Sequence, residues 1–541
     1  MTHPFPVRFS PAPWRPRLHA LAAALALLAA ASAQAQYDPA KVQVQPAAVA
    51  ARFPAIAHRY DTPGFSPWQS DFTSHAQMMA RLQALQERPS VRLESAGTSV
   101  QGRSLPVVLL AEGGRWRPER PTLLLVAHQH GNEPATGEAA LVLLERWSAP
   151  ESAELLRAIN IVALPRANPD GAALFTRANA DGLDLNRDHL LLRTPEARVM
   201  AQVATRYRPH VVLDLHEYTA GDRWVSKFKA WTKHDVLLQS ATTANLDAGL
   251  ARLGQDVLLP AMRQAVQAEG LSEYWYHTTS ADPNSPVAMG GVQPDTWRNI
   301  GGLRHAVSLL LETRGIGLGK QHLDRRVHGQ VVAAQAVAQQ VAARGAELLA
   351  LRQAADRATV AQACQGEIAV AASQTPEQRE LPLIDADTGA DKNVPVQWRS
   401  SLALRVTQSR ARPCGYWLAP GETQAVNTLR ALGVQVQPLA RTRAIQAERY
   451  LFKNVETGQR QDGRGAIRDA GGIVKAQVDL QPAQVRVPAG GWYVSLAQPL
   501  AGLVTAALEP DSQNSYVAAR LIGIAQQGEP DRLLRVMQPL R

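Results

Sequence analysis

The sequence has few cysteines, few aromatic residues and no long apolar run after its first 35 residues. Its 541 residues include two cysteines, and aromatic residues make up 5% of the chain. The formal charge of +10 is modest for this length, and no basic run interleaved with aromatic residues occurs. We therefore expect no nucleic-acid partner. With 45% hydrophobic residues, the chain can instead bury the cores of several globular domains.

The only strongly apolar stretch predicts a signal peptide over residues 1–35. Arg8, Arg15 and Arg17 precede the run "LHALAAALALLAAAS", and "AQA" ends at Ala35 with the small residues that a signal peptidase requires. The run has about 14 alanine-rich residues, fewer than the ~20 that span a membrane, so an anchor is the weaker interpretation. We expect a periplasmic or secreted protein without a membrane span once the signal is removed.

The two cysteines, Cys364 and Cys414, both lie late in the chain. In an oxidising compartment they could form one disulfide, and two free buried thiols are the alternative. Their spacing does not fit a thiolate metal site.

Residues 76–355 have the pattern of an α/β domain, preceded by an irregular lead-in over residues 36–75. The apolar runs "TLLLVAH", "INIVALP", "HVVLDLH" and "AVSLLLE" are continuous rather than alternating. Such runs are typical of strands covered on both faces by helices. Segments such as "GEAALVLLERW" and "PEARVMAQVATRY" have helical spacing. We predict a mixed, largely parallel sheet flanked by helices.

The character of the sequence changes after a long helical stretch at about 321–357. Segments such as "VPVQWRSSLALRVTQ" and "GGWYVSLAQ" are short, rich in β-branched or aromatic residues, and separated by Gly and Pro turns. We predict a smaller β-rich domain over residues 356–541, with its boundary near residue 355.

Polar residues with metal-binding chemistry follow the predicted strands. His130 and Glu133 lie after the first run, His216 ends the third, and Glu312 ends the fourth. In open α/β sheets, ligands bind at the carboxyl ends of the strands. Catalytic zinc takes three ligands from His, Asp or Glu and keeps one position open. We therefore predict one Zn²⁺ per chain, held by His130, Glu133 and His216.

His128 is the competing ligand because it lies two residues before His130. It has Gly131 rather than an acid three residues later, and its position within the apolar run favours packing. Cobalt or manganese remain alternatives to zinc, since affinity order and availability compete.

Five motifs occur in a specific order: "GNEP", "NPDG", "TRANADGLDLNRD", "DLHEY" and "LLETRG". Together they resemble the M14 family of zinc carboxypeptidases, over roughly residues 75–320. The interval between Glu133 and His216 resembles that of bacterial members. The resemblance implies an exported zinc metallocarboxypeptidase whose substrate is a peptide with a free C-terminal carboxylate.

The resemblance also implies roles for individual residues. It assigns the zinc to His130, Glu133 and His216, and makes Glu312 the general base that takes a proton from water and returns it to the leaving amine. An ion pair between Glu312 and Arg314 is the alternative for that carboxylate.

Four further residues match positions in the family. Arg177 would stabilise the oxyanion, and Asn186 with Arg187 would bind the substrate's terminal carboxylate, for which a guanidinium fork is suited. Asp184 would orient a ligand histidine. Surface salt bridges are the alternative for these arginines.

The sequence leaves the tyrosine that closes over substrate and the specificity pocket unassigned. Tyr274 and Tyr276 are both candidates for the tyrosine that closes over substrate in this family, and Met289, Trp297 and Arg298 are candidates for the specificity pocket. Two other functions compete with peptide trimming: hydrolysis of N-acyl amino acids or cell-wall peptides by the same zinc chemistry, and a binding protein that has lost catalysis.

Overall fold

The computed structural model describes residues 37–467, 472–512, 514–525 and 528–540; the predicted signal peptide lies outside them. The strands are, in chain order, β1 (Val91–Thr98), β2 (Ser104–Leu110), β3 (Thr122–Val126), β4 (Asn160–Leu164), β5 (Val211–Thr219), β6 (Ala230–Thr232), β7 (Val236–Ser240), β8 (Glu273–Trp275), β9 (Val287–Ala288), β10 (Val307–Ile316), β11 (Glu367–Asp385), β12 (Asp391–Ala411), β13 (Gly415–Leu418), β14 (Gln437–Pro438), β15 (Arg443–Gly458), β16 (Gln461–Asp462), β17 (Gly465–Ala466), β18 (Ile473–Val487), β19 (Trp492–Ser495) and β20 (Leu533–Val536).

The α-helices are α1 (Ala47–Ala50), α2 (His75–Leu85), α3 (Pro134–Trp147), α4 (Ala153–Ala158), α5 (Pro169–Leu174), α6 (Pro195–Tyr207), α7 (Arg223–Phe228), α8 (Ala248–Leu253), α9 (Leu259–Ala268), α10 (Trp297–Leu303), α11 (Leu323–Ala343), α12 (Gly345–Ala361), α13 (Thr423–Ala431) and α14 (Ala501–Leu508). Among the described residues, none of the helices combines the length and the apolar character that crossing a membrane requires.

The main sheet has eight strands in the order β1-β2-β4-β3-β5-β10-β7-β8. Its centre, β4, β3, β5 and β10, is parallel throughout, whereas β2 and β7 flank it in antiparallel orientation. The four predicted strand runs form this parallel centre, which confirms the predicted α/β architecture.

The apolar run of β3 is continuous because both faces of the sheet are covered. Leu123 and Leu125 pack in one core with α3 and α11, and Leu124 and Val126 pack in a second core with α6. Every residue of β3 is buried. Burying one such side chain contributes about 1.5–3 kcal/mol, so the two cores hold the strand firmly at the point where the ligand loop leaves it.

Local signals set the ends of the predicted helices. The segment "PEARVMAQVATRY" is α6, and Thr194 caps it by accepting a hydrogen bond from Ala197 N at 3.2 Å. The long helical stretch divides at Arg344 into α11 and α12. Helix α12 runs through the predicted boundary at residue 355, and the first strand of the β-rich part begins at Glu367.

The β-rich part joins the preceding α/β part by strand pairing. The long hairpin of β11 and β12 extends a sheet with β6 and β9, through the pairs Leu383 with Thr232 and Trp398 with Val287. A separate six-stranded sheet has the order β14-β19-β13-β20-β15-β18. Because the hairpin shares a sheet with β6 and β9 of the α/β part, later segments of the chain are held close to that part.

A disulfide joins Cys364 to Cys414, so of the two alternatives for these residues the bonded one is observed. The bond closes a loop between the end of α12 and the start of β13.

Replacing both cysteines by serine should lower the free energy of unfolding by about 4 kcal/mol in oxidising buffer. This figure follows from the chain-entropy relation for a sequence separation of 50 residues. Urea unfolding of the two proteins measures it. Reducing agent should shift the wild-type midpoint to that of the double variant and leave the variant unmoved. Equal midpoints in oxidising buffer would contradict a stabilising role.

Candidate metal centre and active site

The three predicted ligands converge at the carboxyl edge of the main sheet. His130 Nδ1 lies 2.7 Å from Glu133 Oε1, and His216 Nδ1 lies 2.9 Å from Glu133 Oε2. The two Nδ1 atoms are 3.1 Å apart. All three side chains are almost completely buried, with at most 2% exposed. The residues predicted from the sequence therefore lie close enough to share one ion.

The outer ring nitrogens of His130 and His216 both contact carboxylates, which indicates where the ring protons lie. His130 Nε2 lies 3.1 Å from Asp184 Oδ1, and His216 Nε2 lies 2.9 Å from Asp214 Oδ1. With a proton on each Nε2, both Nδ1 lone pairs face one another and the Glu133 carboxylate. Three acceptors around one point favour a positive charge between them.

The donor set and its spacing fit zinc. Two imidazole nitrogens and one carboxylate are ligands typical of a catalytic zinc site. Bonds of ~2.0–2.1 Å place two tetrahedral ligands about 3.3 Å apart. The separations between His130, Glu133 and His216 are 2.7 to 3.1 Å, slightly shorter than that value, so a small outward movement of these side chains would admit the ion.

The pKa shifts agree with a site that attracts a cation. Burial by itself raises the pKa of Glu133, but His130 and His216 outweigh it and hold that pKa well below its usual value. Burial lowers the pKa of His216, but Asp214 and Glu133 reverse this and raise it well above the usual value. Both shifts therefore favour positive charge at this cluster, which a bound metal ion would supply.

The chain path explains why the ligands meet. Glu133 directly precedes α3, and its backbone N–H donates to His130 O at 3.2 Å, which closes the ligand loop. A Cβ on Gly131 would lie 1.8 Å from the backbone carbon of Gly171, so only glycine permits this approach of two loops.

His216 and Glu312 come from neighbouring parallel strands. They are direct partners in the register of β5 and β10. Asp214 lies two residues before His216 on β5, so both side chains are on the same face of the sheet. The strand register thus places Glu312, His216 and Asp214 close together.

Glu312 lines the same cavity as His130 and Glu133 and is 7% exposed. Burial raises the pKa of Glu312 to about 7, with His216 opposing and Glu133 adding to this shift. The alternative ion pair with Arg314 is not formed, because Arg314 donates to Thr232 O at 2.9 Å and to a glutamine elsewhere. A carboxyl group that titrates near neutral pH is suited to proton transfer.

Arg177 points toward the ligands rather than into solvent. Its Nε donates to Asp184 Oδ2 at 2.9 Å, and its Nη1 lies 3.4 Å from Glu133 Oε1. Asp184 therefore contacts Arg177 and the ligand His130 at once. The contact of Asp184 with His130 is the one that the resemblance implies.

Asn186 and Arg187 lie in a 3-10 turn that Asp184 caps by accepting from Asn186 N at 3.0 Å. The side chain of Asn186 accepts from Trp297 N at 2.8 Å and places its Nδ2 3.1 Å from His216 Nε2. Arg187 is ion-paired with Asp462 of the β-rich part. Both predicted carboxylate-binding residues line the cavity, and both already have protein partners.

The structure distinguishes the candidates for the tyrosine that closes over substrate and for the specificity pocket. Tyr276 lines the cavity, whereas Tyr274 stacks on His234 at 4.8 Å. Met289 also lines the cavity. Trp297 packs against His189 and reaches the site through its backbone.

Arg298 lines the cavity with a buried guanidinium. Burial lowers its pKa to about 10, so the group remains charged at neutral pH. No carboxylate of the described residues forms an ion pair with it, and its Nη2 donates to Gly291 O at 3.0 Å. The cavity therefore contains a cation without an acidic partner.

His128 is not in the ligand group. It is buried, and its Nε2 contacts Gly131 O at 3.2 Å within the loop. Its packing is the role that the apolar run predicts.

Sequence reasoning missed Asp214, which contacts the outer nitrogen of His216. Its spacing from His216 in a predicted strand was a usable signal, because alternate residues share a face. It also missed Asp462 and Arg464, which line the cavity from the β-rich part.

The sequence model of the M14 zinc carboxypeptidase family matches residues 78–227. This stretch contains all three candidate metal ligands. Carboxypeptidase 2 of Trichophyton equinum is 27% identical over 437 residues, which cover 79% of this chain and 79% of that protein. Carboxypeptidase E of Caenorhabditis elegans is 34% identical over 138 residues, 22% of this chain and 29% of that one. Residues 78–227 of this chain therefore match a zinc carboxypeptidase domain of the M14 family.

A solved structure, the putative carboxypeptidase A from Shewanella denitrificans OS-217, is 22% identical and has a TM-score of 0.39, covering 50% of this carboxypeptidase and 70% of that chain. The 437-residue similarity to the Trichophyton protein is longer than the predicted catalytic segment, residues 76–355, so it extends into other parts of this carboxypeptidase.

Proposed function

We propose that this carboxypeptidase is exported and removes the C-terminal residue from peptides, with Glu312 as its general base. One arrangement carries the proposal: His130, Glu133 and His216 lie within 3.1 Å of one another, and Glu312 is the register partner of His216 in the sheet. Nucleophile activation and metal binding then occur in a single cavity.

Each side chain has a separate task in this reaction. When bound, zinc acts as a Lewis acid that polarises the scissile carbonyl and makes water more acidic. Glu312 accepts the proton of the attacking water and delivers it to the leaving amine, so that the base is regenerated. Arg177 stabilises the negative charge that develops on the carbonyl oxygen.

Other residues position the substrate and the ligands. Arg187 binds the terminal carboxylate, and Asn186 supports it from the same turn. Asp184 and Asp214 accept the outer N–H groups of the ligand histidines, which fixes the orientation of each ring. The charge of Arg298 disfavours a basic C-terminal side chain and favours an acidic or neutral one.

Two features support export. The sequence predicts a signal peptide, and the bond between Cys364 and Cys414 is of a kind that persists in oxidising compartments.

The protein beginning at Gln36, loaded with one equivalent of zinc, tests this function by mass spectrometry of released products. We expect single residues to be lost from the C terminus of a free peptide and none from the same peptide with an amidated C terminus. Peptides ending in glutamate should be trimmed faster than peptides ending in lysine. Equal cleavage of the amidated peptide would contradict the carboxylate-binding step. Faster hydrolysis of N-acyl amino acids or cell-wall fragments would favour the alternative substrates.

A further inference from the structure

The β-rich part reaches into the active site through a short hairpin, residues 460–467, which we name the site hairpin. It consists of β16 and β17 with Gly463 and Arg464 at the turn. Asp462, Gly463 and Arg464 line the same cavity as His130 and Glu312. Part of the active site is therefore supplied by a segment far from the metal ligands in sequence.

Asp462 lies between two arginines. Its carboxylate is ion-paired with Nη2 of Arg187, and its Oδ2 also accepts from Nη2 of Arg464 at 2.8 Å. Its Oδ1 accepts from the backbone N–H of Arg464 at 2.8 Å. The side chain of Asp462 is 10% exposed. A carboxylate of the protein thus already occupies the arginine that would bind the carboxylate of a substrate.

The position of Asp462 is fixed from both sides of the site hairpin. At its base, Arg460 donates to Arg187 O at 2.8 Å and is ion-paired with Asp295. At its tip, a Cβ on Gly463 would lie 3.1 Å from a side-chain carbon of Thr278, so the turn packs closely against the α/β part. These contacts hold the carboxylate in the site.

We propose that Asp462 is a specificity-determining residue that occupies the carboxylate position on Arg187, and that a substrate binds by exchanging its own terminal carboxylate for that of Asp462. The inference rests on the proposed role of Arg187. A peptide whose C terminus carries no negative charge would break the ion pair between Asp462 and Arg187 without forming a new one. Such a peptide is therefore excluded from the site.

Arg464 makes this exchange possible. When Asp462 leaves Arg187, it remains paired with Arg464, and no carboxylate is left buried without a partner. An unpaired buried charge would be strongly unfavourable. The number of ion pairs is the same before and after the exchange, provided that the entering group is anionic.

Two substitutions with opposite expected effects test the exchange. Asp462→Asn removes the competing charge, so KM for a peptide with a free carboxylate should fall about tenfold while kcat changes less than about twofold. Arg464→Gln removes the group that receives the displaced Asp462, so KM should rise about tenfold. The dissociation constant of N-acetylphenylalanine, a monocarboxylate, measured by calorimetry on the zinc-loaded protein, should move in the same two directions.

Asp479→Asn is the matched control, because Asp479 lies in the same part of the chain and is ion-paired with the exposed Lys453. It should leave KM unchanged. A purely structural role for the site hairpin would shift KM in the same direction in both test variants, and this result would overturn the exchange.

Arg187→Met separates this proposal from the proposed function. If it leaves KM unchanged for the free peptide, the role of Arg187 itself is wrong. If it raises KM but Asp462→Asn does not lower KM, carboxylate binding stands and the exchange is wrong.

Discussion

Glu312→Gln protein should retain one zinc per chain and lose about 1000-fold in kcat for peptide hydrolysis. Glutamine has nearly the same shape, but its amide cannot accept the proton of the attacking water, and general-base catalysis contributes about 10²–10⁴-fold. Zinc stays bound because the ligand group is His130, Glu133 and His216. Metal analysis and initial rates on the same sample measure both quantities.

Glu196→Gln provides the matched control. Glu196 lies in α6, and burial raises the pKa of its carboxyl group as it does for Glu312. Its Oε1 accepts from Val100 N at 3.2 Å, away from the metal ligands. We expect kcat within about twofold of the wild type. Wild-type turnover by fully zinc-loaded Glu312→Gln protein would assign the proton transfer to another group.

Much of this site could be predicted because it lies on a parallel sheet. Continuous apolar runs identify buried strands, and the carboxyl ends of parallel strands lie at one edge. His130 follows one such run, and His216 and Glu312 end two others, so their convergence follows from the architecture. The observed parallel centre of the main sheet therefore agrees with the prediction made from the polar residues at the ends of these apolar runs.

The contribution of the β-rich part could not be predicted in this way. Arg187 and Asp462 are 275 residues apart, and their pairing depends on how the β-rich part docks. That docking uses β6 and β9, which are three and two residues long. Strands this short leave no periodic signal in the sequence. The "DG" in "QDGRG" predicts a turn, but nothing local indicates that this turn enters the active site.

The ligand assignment can be tested with two buried histidines that differ in one respect. His130 and His128 are two residues apart, each is 2% exposed, and only His130 belongs to the ligand group. His130→Asn should weaken zinc binding by more than about 100-fold, because it removes one of three ligands. His128→Asn should bind zinc like the wild type. Asparagine suits this position, since His128 has φ +57° and asparagine tolerates the left-handed region.

The zinc affinity of the Asp214→Asn protein should lie between those of the His128→Asn and His130→Asn proteins. This variant keeps all three ligands but weakens the acceptor that holds Nε2 of His216 at 2.9 Å, and substitutions of such outer partners reduce metal affinity by about 10–100-fold. Competition with a chromophoric chelator measures the three affinities under one set of conditions. The expected order of zinc affinity is His128→Asn, then Asp214→Asn, then His130→Asn. If His128→Asn loses zinc while His130→Asn retains it, the ion is held by a different set of ligands from the one that the strand ends predict.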